Sequence, residues 1–308
     1  MEYYKVMTDS FKHYGIQYRE GLNIYTGEMD VGEYAIQGFH FCEKKYIPDW
    51  LSLHQNNKWI VKVTLCPDSK VITCSRNKFK TNKFILSDKV LIEDFLEQNP
   101  SLIIRAVQCY GGNIKYVKNQ TPEICLLAIK HQAIALEFIK EPTHDLYLKA
   151  IEFNPCALDF IKEQTPELCL KAVTSYGLAL QFVKDQTHEL CEVATNCHPC
   201  ALQFVKEQTP EMCLKAVKKF GFLLRDVKNQ TPEICSAAIY NDPLALAYVK
   251  DQTHKLCLKA VQRDGRALKF VKEQTPDICL AAVNQDAYAI DFVIDKTPEL
   301  IRISVENE

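Results

Sequence analysis

The amino-acid sequence predicts a small α+β domain followed by an all-α solenoid of helical hairpins. A 22-residue pattern begins at residue 97 and holds without insertion to residue 294, which gives nine full repeats and a partial tenth. The pattern is absent before residue 97, where runs of β-branched residues predict strands. The chain has 308 residues, 47% of them hydrophobic and 25% charged, as in soluble globular proteins. We therefore expect two domains, residues 1–96 and 97–308.

Each repeat predicts two short helices joined by a turn. The repeat at 163–184 begins with Thr165-Pro166-Glu167. Thr caps free N–H groups, Pro suits the first helical position, and Glu favours the positive end of the helix dipole, so this triplet marks a helix start. Gly177 marks the turn, and the apolar segment after it predicts the second helix. Helices this short have only marginal stability in isolation, and they become stable when the repeats stack.

Columns of apolar residues at the 22-residue spacing predict the core of the array. An Ala column begins at Ala128, a Leu/Ile column at Leu136 and an aromatic column at Tyr116. Another column holds cysteines at 125, 169, 191, 213, 235, 257 and 279, with Tyr147 in the gap. Stacked repeats lie roughly 10 Å apart, too far for disulfides between neighbours. We therefore expect these thiols to be buried as small hydrophobic groups.

Charge balance and the start of the chain argue against several function classes. The net charge of −2 disfavours a general nucleic-acid binder. No stretch approaches the roughly 20 apolar residues of a membrane-spanning helix, and the N-terminus has no apolar signal core, so we expect neither membrane insertion nor secretion. Cysteines spread along such a chain indicate a reducing compartment. The CHPC sequence at 197–200 has no second ligand pair, so we expect no metal site, and we expect no cofactor.

A lysine ends nearly every repeat. These lysines stand at 118, 140, 162, 184, 206, 228, 250 and 272. An acidic residue or Asn follows each of them directly. We therefore expect a surface ion-pair network rather than a track for a phosphate backbone.

The turns between the two helices vary most from repeat to repeat. Aromatic and Arg side chains in such positions are typical anchors of a protein interface. The candidate partner-binding residues are Phe153, Tyr176, Phe220, Tyr240, Arg263, Arg266 and Tyr288. The alternative is that turns vary because nothing constrains them.

Two motifs distinguish residues 1–96. They read GIQYREGLN at 15–23 and GFHFC at 38–42, and they precede predicted strands at 59–66 and 83–87. The candidate site residues in these motifs are Tyr18, Arg19, Gly38, Phe39 and His40. Cys42 is weighed as a nucleophile and interpreted as a core residue.

The repeats resemble the short helical repeats of unknown function found in proteins of mimivirus-like giant viruses. The resemblance covers about 97–308 and rests on the columns [QN]-T-[PH]-[ED]-x-C-x-x-A-[VI] and A-L-x-[FY]-[VI]-K. It implies a virus-encoded intracellular protein, located in the host cytoplasm or viral factory. The two N-terminal motifs are similar to a module on other giant-virus repeat proteins.

More distantly, the order of elements in 1–96 looks like an ADP-ribosyltransferase fold, with a helix at 45–54. That family places its catalytic Glu just before a late strand, where this chain has Thr81-Asn82-Lys83. The resemblance therefore implies the fold without its chemistry.

We expect an intracellular protein–protein interaction scaffold or adaptor, with a viral or host protein bound along the solenoid surface. Two alternatives stay open. One is a nucleotide- or NAD-linked enzymatic activity in the N-terminal domain, targeted by the repeats. The other, less favoured, is an RNA-binding repeat array. Because the P-loop, GxGxxG, HExxH and GxSxG signatures are all missing from the sequence, we lean against an enzyme.

Overall fold

The computed structural model of the protein describes residues 1–13, 15–29, 37–53, 56–75 and 78–307. As predicted, an antiparallel sheet region (residues 3–91) is followed by regularly spaced helices (residues 92–307). The chain divides into two compact units, Met1–Lys162 and Glu163–Glu308. This division falls inside the repeats, and the domain boundary expected near residue 97 stays a prediction.

The sheet region contains nine strands among the described residues. They are β1 Tyr3–Thr8, β2 Lys12–His13, β3 Ile16–Gln17, β4 Gly21–Ile24, β5 Phe39–Glu43, β6 Asn57–Leu65, β7 Val71–Ser75, β8 Lys78–Thr81 and β9 Lys83–Leu91. Seven of them form one sheet in the order β4-β9-β6-β1-β5-β8-β7, while β2 and β3 pair separately. All these pairs are antiparallel. The strands predicted at 59–66 and 83–87 are confirmed as β6 and β9.

Both N-terminal motifs begin strands through glycines that adopt left-handed backbone angles. Gly21 has φ +83° at the start of β4, and Gly38 has φ +100° just before β5. Residues other than Gly, Asn and Asp rarely adopt backbone angles with positive φ. The Asn23 side chain closes the first turn, since its Nδ2 donates to the Arg19 and Gly21 carbonyls. These motifs therefore fix turns in the sheet.

Twelve α-helices occur in the described part of the chain. They are α1 Ile47–Trp50, α2 Ile92–Gln98, α3 Ser101–Cys109, α4 Pro122–His131, α5 His144–Phe153, α6 Pro166–Ser175, α7 His188–Cys197, α8 Pro210–Lys219, α9 Pro232–Asn241, α10 His254–Arg263, α11 Pro276–Gln285 and α12 Pro298–Asn307. Of the helix expected at 45–54, the described residues form a 3-10 turn at Lys44–Tyr46 and then α1, which ends at Trp50, while residue 54 lies outside the described residues.

The second helix of each repeat is a six-residue 3-10 helix. These helices span Gly111–Tyr116, Ala133–Phe138, Pro155–Phe160, Gly177–Phe182, Pro199–Phe204, Gly221–Asp226, Pro243–Tyr248, Gly265–Phe270 and Ala287–Phe292. Side chains three residues apart eclipse in a 3-10 helix. Leu202 and the adjoining Val205 have this spacing, and both are buried.

Threonine caps the first helix as the sequence predicts. The Thr209 hydroxyl accepts a hydrogen bond from the Met212 N–H at 3.3 Å. Thr121, Thr143, Thr165, Thr187, Thr231, Thr253 and Thr297 make the same contact in their repeats. The alanines of the Ala column, which lie later in the same helices, are buried.

Within the first compact unit, the sheet and the first helices share one core. Tyr4, Ile60, Phe95, Ala106 and Tyr116 belong to the same buried cluster. The hydroxyl of Tyr116 donates to the backbone carbonyl of Asn57 at 3.0 Å. The sheet therefore covers the apolar end of the first repeat.

Candidate binding groove on the first helices

A glutamine column, which the sequence analysis did not single out, joins neighbouring repeats. Gln208 Nε2 donates to the Leu202 carbonyl at 3.0 Å and to the Asp226 carbonyl at 2.7 Å. Its Oε1 accepts from the Lys228 N–H at 2.8 Å. The contacts to the later carbonyl and N–H recur for glutamines 120, 164, 186, 230, 252 and 274. We call this arrangement the Gln clamp.

The cysteine column supports the Gln clamp. Its thiols are buried, as predicted. The Cys213 Sγ lies 3.6 Å from Gln208 Oε1, in position to donate to it. Burial raises the pKa of the Cys213 thiol, which keeps that donor protonated. Where Pro142 replaces the Gln, Tyr147 replaces the Cys, so both partners are lost together.

Five lysines of the column donate to backbone carbonyls, in place of the ion-pair network that the sequence predicts. Lys206 Nζ instead donates to the Lys184 carbonyl, one repeat earlier, at 2.6 Å. Lysines 140, 228, 250 and 272 make the same contact with the preceding repeat. The extended segment after each 3-10 helix leaves this carbonyl open, and the long side chain reaches it. Lys118 follows the prediction, since it pairs with Asp94 and Glu97.

The solvent-facing side of helices α6–α11 forms a surface that we call the first-helix face. A column of half-exposed leucines runs along it. In the second compact unit it comprises Leu170, Leu214, Leu258 and Leu280. Glu192 and Ser236 interrupt it. The residue after each Leu is Lys in α8 and α10, whereas α9 has Ala237. Helix α9 therefore lacks two long side chains that its neighbours carry.

A groove occupies the place of these missing side chains. It has a volume of about 940 Å³. Its lining comprises Leu214, Lys218, Glu233, Ser236, Ala237, Ile239, Tyr240, Asn241, Lys259, Gln262 and Arg263. Ser236 and Lys259 also line a second hollow of about 390 Å³ beside it. We call the larger feature the Ser236 groove, and its volume is that of typical ligand pockets.

Two of the seven residues predicted to bind a partner meet at the Ser236 groove. The Arg263 guanidinium lies 4.7 Å from the centre of the Tyr240 ring. It also donates to the Tyr240 carbonyl at 2.9 Å. Tyr240 remains 73% exposed. The pair thus forms a preorganised cationic and aromatic wall.

The other predicted anchors lie elsewhere. Phe153, in the first compact unit, and Tyr288 are exposed. Phe220 packs on Phe222, and Tyr176 packs edge-on against His198. Arg266 is held by Asp264 through two hydrogen bonds, at 3.0 and 2.7 Å. The Arg266 hydrogen bonds lower the pKa of Asp264. Arg266 is therefore less available to a partner than Arg263.

Four of the N-terminal candidate residues serve the fold directly. Tyr18 and Phe39 are buried against Phe84. Arg19 is tied into its turn, where its Nε donates to the Leu22 carbonyl. Gly38 provides the left-handed turn before β5.

His40 is the fifth N-terminal candidate, and it is fully buried beside a lysine that sequence reasoning missed. Lys5 Nζ donates to the His40 carbonyl at 2.9 Å and lies 4.3 Å from the centre of the Tyr18 ring. Burial lowers the pKa of Lys5 to about 7. Burial also raises the pKa of the Cys42 thiol well above its usual value, which agrees with a core residue.

The described residues contain no group of three or more His, Cys, Asp or Glu residues placed to hold a metal ion. None of their helices combines the length and apolar character that a membrane crossing requires.

Comparison with known proteins identifies a viral relative. "Uncharacterized protein R869" of Acanthamoeba polyphaga mimivirus is 30% identical over 95 residues, which is 30% of this chain and 69% of R869. The chain belongs to the R869 family. The predicted relationship to giant-virus proteins is thereby supported, while the name R869 carries no statement about repeats or an N-terminal module. No family model matches the chain, and no solved structure matches it.

Proposed function

We propose that this member of the R869 family is a protein-interaction scaffold that binds a viral or host protein on its first-helix face. The Ser236 groove carries the proposal. It places an exposed Tyr-Arg pair, two side-chain types that are enriched among interface hot spots, beside the partly exposed Leu214. The relationship to R869 favours an action in the host cytoplasm or viral factory.

The Gln clamp supports this proposal through preorganisation. Each clamp joins consecutive repeats through backbone groups just before the first helix, whereas the Tyr-Arg pair lies at the other ends of α9 and α10. The polar groups that order the repeats are thus separate from the binding face. A surface already ordered before docking loses little conformational entropy on binding.

The two alternatives have less support. Phosphate tracking requires available cations, but the lysine column directs its Nζ groups to backbone carbonyls. An N-terminal enzyme requires accessible reactive groups, but Tyr18, Phe39 and His40 are buried.

Capture from a lysate of amoebae infected with a giant virus tests the proposal, with nuclease added and with mass spectrometry as the readout. A Tyr176→Ala/Tyr240→Ala variant removes two exposed rings at the C-terminal ends of α6 and α9. The matched control is Gln181→Ala/Gln203→Ala, at exposed positions of the 3-10 helices. We expect the ring variant to lose a nuclease-resistant protein that the control retains. Equal capture by both variants contradicts the proposal.

A further inference from the structure

We infer that the Ser236 groove binds an acidic peptide segment that carries a bulky apolar side chain. This inference rests on the proposed function and specifies its partner. It starts from the sequence of α9, where Ser236 and Ala237 replace the Leu-Lys pair of α8 and α10. Filling the groove therefore needs only side chains that neighbouring repeats already carry at these positions.

The charges around the groove select an anionic partner. Its lining has three cationic side chains, Lys218, Lys259 and Arg263, against one carboxylate, Glu233. Lys218 and Lys259 form no ion pair with any residue that the structure describes. Arg263 is fixed over Tyr240 by its hydrogen bond to the backbone. A peptide bearing Glu or Asp supplies the counter-charges that the groove lacks.

The floor of the groove selects an apolar anchor. Leu214, Ala237 and Ile239 line it, and the small Ser236 and Ala237 side chains leave the space open. A buried aliphatic or aromatic side chain surrounded by polar contacts is the usual form of an interface hot spot. A phosphate backbone fits this apolar floor poorly, which favours a peptide over RNA.

Selection of a random dodecamer peptide library on the full chain tests the inference. We expect enrichment of sequences with several Asp or Glu residues around one Phe, Leu or Trp. A fluorescein-labelled peptide from the enriched pool is then measured by fluorescence anisotropy. Enrichment of basic or uncharged sequences, or no enrichment, overturns the inference.

Variants locate the peptide on the protein. Ser236→Leu/Ala237→Lys restores the side chains of neighbouring repeats, so it is expected to fold and to weaken binding at least about tenfold by filling the groove. Lys218→Ala/Lys259→Ala is expected to weaken binding about tenfold, and Lys219→Ala, a lysine of α8 outside the groove lining, less than about twofold. Far-UV circular dichroism verifies folding. Equal loss in the Lys219→Ala variant overturns the inference.

Unlabelled oligouridylate, added as a competitor to the labelled peptide, tests whether the groove instead binds RNA. If it displaces the peptide at lower concentration than unlabelled peptide does, the groove is an RNA site and the inference is overturned. The proposed function has a separate test, because it fails only when the ring variant and its control capture the same proteins. Loss of capture in the ring variant without peptide binding at the groove leaves the scaffold standing and rejects the acidic peptide.

Discussion

The sheet region and the repeats bury polar groups in different ways. In the sheet region each buried polar group is a separate case, as with Lys5, which reaches the His40 carbonyl across 35 residues of chain. In the repeats one set of contacts recurs every 22 residues, as the Gln clamp shows. A recurring contact leaves a column in the sequence, whereas a single contact leaves no pattern. Because the repeats share one pattern, a single repeat with smaller side chains, such as the one that contains α9, leaves a groove between its neighbours.

The two tryptophans allow the regions to be followed separately. Trp50 and Trp59, the only tryptophans in the chain, both lie in the sheet region. Their fluorescence reports on that region, while far-UV circular dichroism at 222 nm reports mainly on the helices.

Breaking one Gln clamp gives the largest expected effect. Gln208→Leu removes three hydrogen bonds to backbone groups, at 3.0, 2.7 and 2.8 Å. At roughly 1 kcal/mol for each bond, we expect the free energy of unfolding to fall by about 3 kcal/mol. Urea unfolding followed at 222 nm measures it.

Gln203 provides the matched control for that clamp. It is exposed and donates only to the Cys200 carbonyl of its own 3-10 helix. Gln203→Leu is expected to change the free energy of unfolding by less than about 0.5 kcal/mol. Similar losses in the two variants mean that the clamp does not hold the repeats together.

The Lys5 amine makes the stability of the sheet region depend on pH. Its pKa is about 7 in the folded protein and 10.5 as the reference value. Between these values the unfolded chain binds more protons, so stability rises with pH over this window and is constant below about pH 7. We expect the wild type to gain about 2 kcal/mol relative to Lys5→Met between pH 6.5 and 9.

Urea unfolding followed by tryptophan fluorescence measures this difference. Comparison with Lys5→Met cancels the titration of other groups. Lys5→Arg serves as a second comparison, since its side chain stays charged throughout the window. A constant difference between wild type and Lys5→Met shows that the Lys5 proton is not released near pH 7.

Glycine is required in the two regions for different physical reasons. Gly21 has φ +83° with no neighbouring atom within 4 Å of an added Cβ, whereas an added Cβ on Gly221 lies 2.6 Å from the Ala238 carbonyl oxygen. We expect Ala to cost about 1 kcal/mol at Gly21 and about 2 kcal/mol at Gly221.

Asparagine separates these two causes. It tolerates left-handed angles, so Gly21→Asn is expected to recover part of the loss seen with Ala. Gly221→Asn adds more atoms to a crowded contact and is expected to be worse than Gly221→Ala. Thermal unfolding of the four variants checks this, and recovery at Gly221 contradicts the crowding at Ala238.

The lysine column gives the smallest expected effect. Lys206→Met loses the 2.6 Å hydrogen bond from Nζ to the Lys184 carbonyl, at an exposed position. We expect a loss below about 1 kcal/mol. Because the acceptor is a neutral carbonyl, the loss should change little between 50 and 500 mM salt. A strong salt dependence favours the ion-pair network predicted from sequence.

The sequence predicts much of the repeats and little of the site. Thr209 stands in a column that recurs from Thr121 to Thr297, and Cys213 in a column broken once, at Tyr147, so helix caps and buried columns follow from spacing alone. The Gln column was visible at the same spacing, but its role depends on backbone carbonyls whose positions only the fold defines. The Ser236 groove arises from what α9 lacks, and absence becomes visible only when neighbouring helices are in place. In the sheet region, the pairing of β1 with β6 gives Lys5 a neighbourhood that local sequence does not encode.

Photo-crosslinking most directly tests the claim that the first-helix face is the binding face. Benzoylphenylalanine is introduced at Tyr240, in the wall of the Ser236 groove, and separately at Gln203, on an exposed 3-10 helix. Each variant is irradiated in nuclease-treated lysate of infected amoebae. We predict a protein adduct from position 240 that position 203 does not give and that Ser236→Leu/Ala237→Lys abolishes. An adduct from position 203 alone contradicts the assignment of the first-helix face as the binding face.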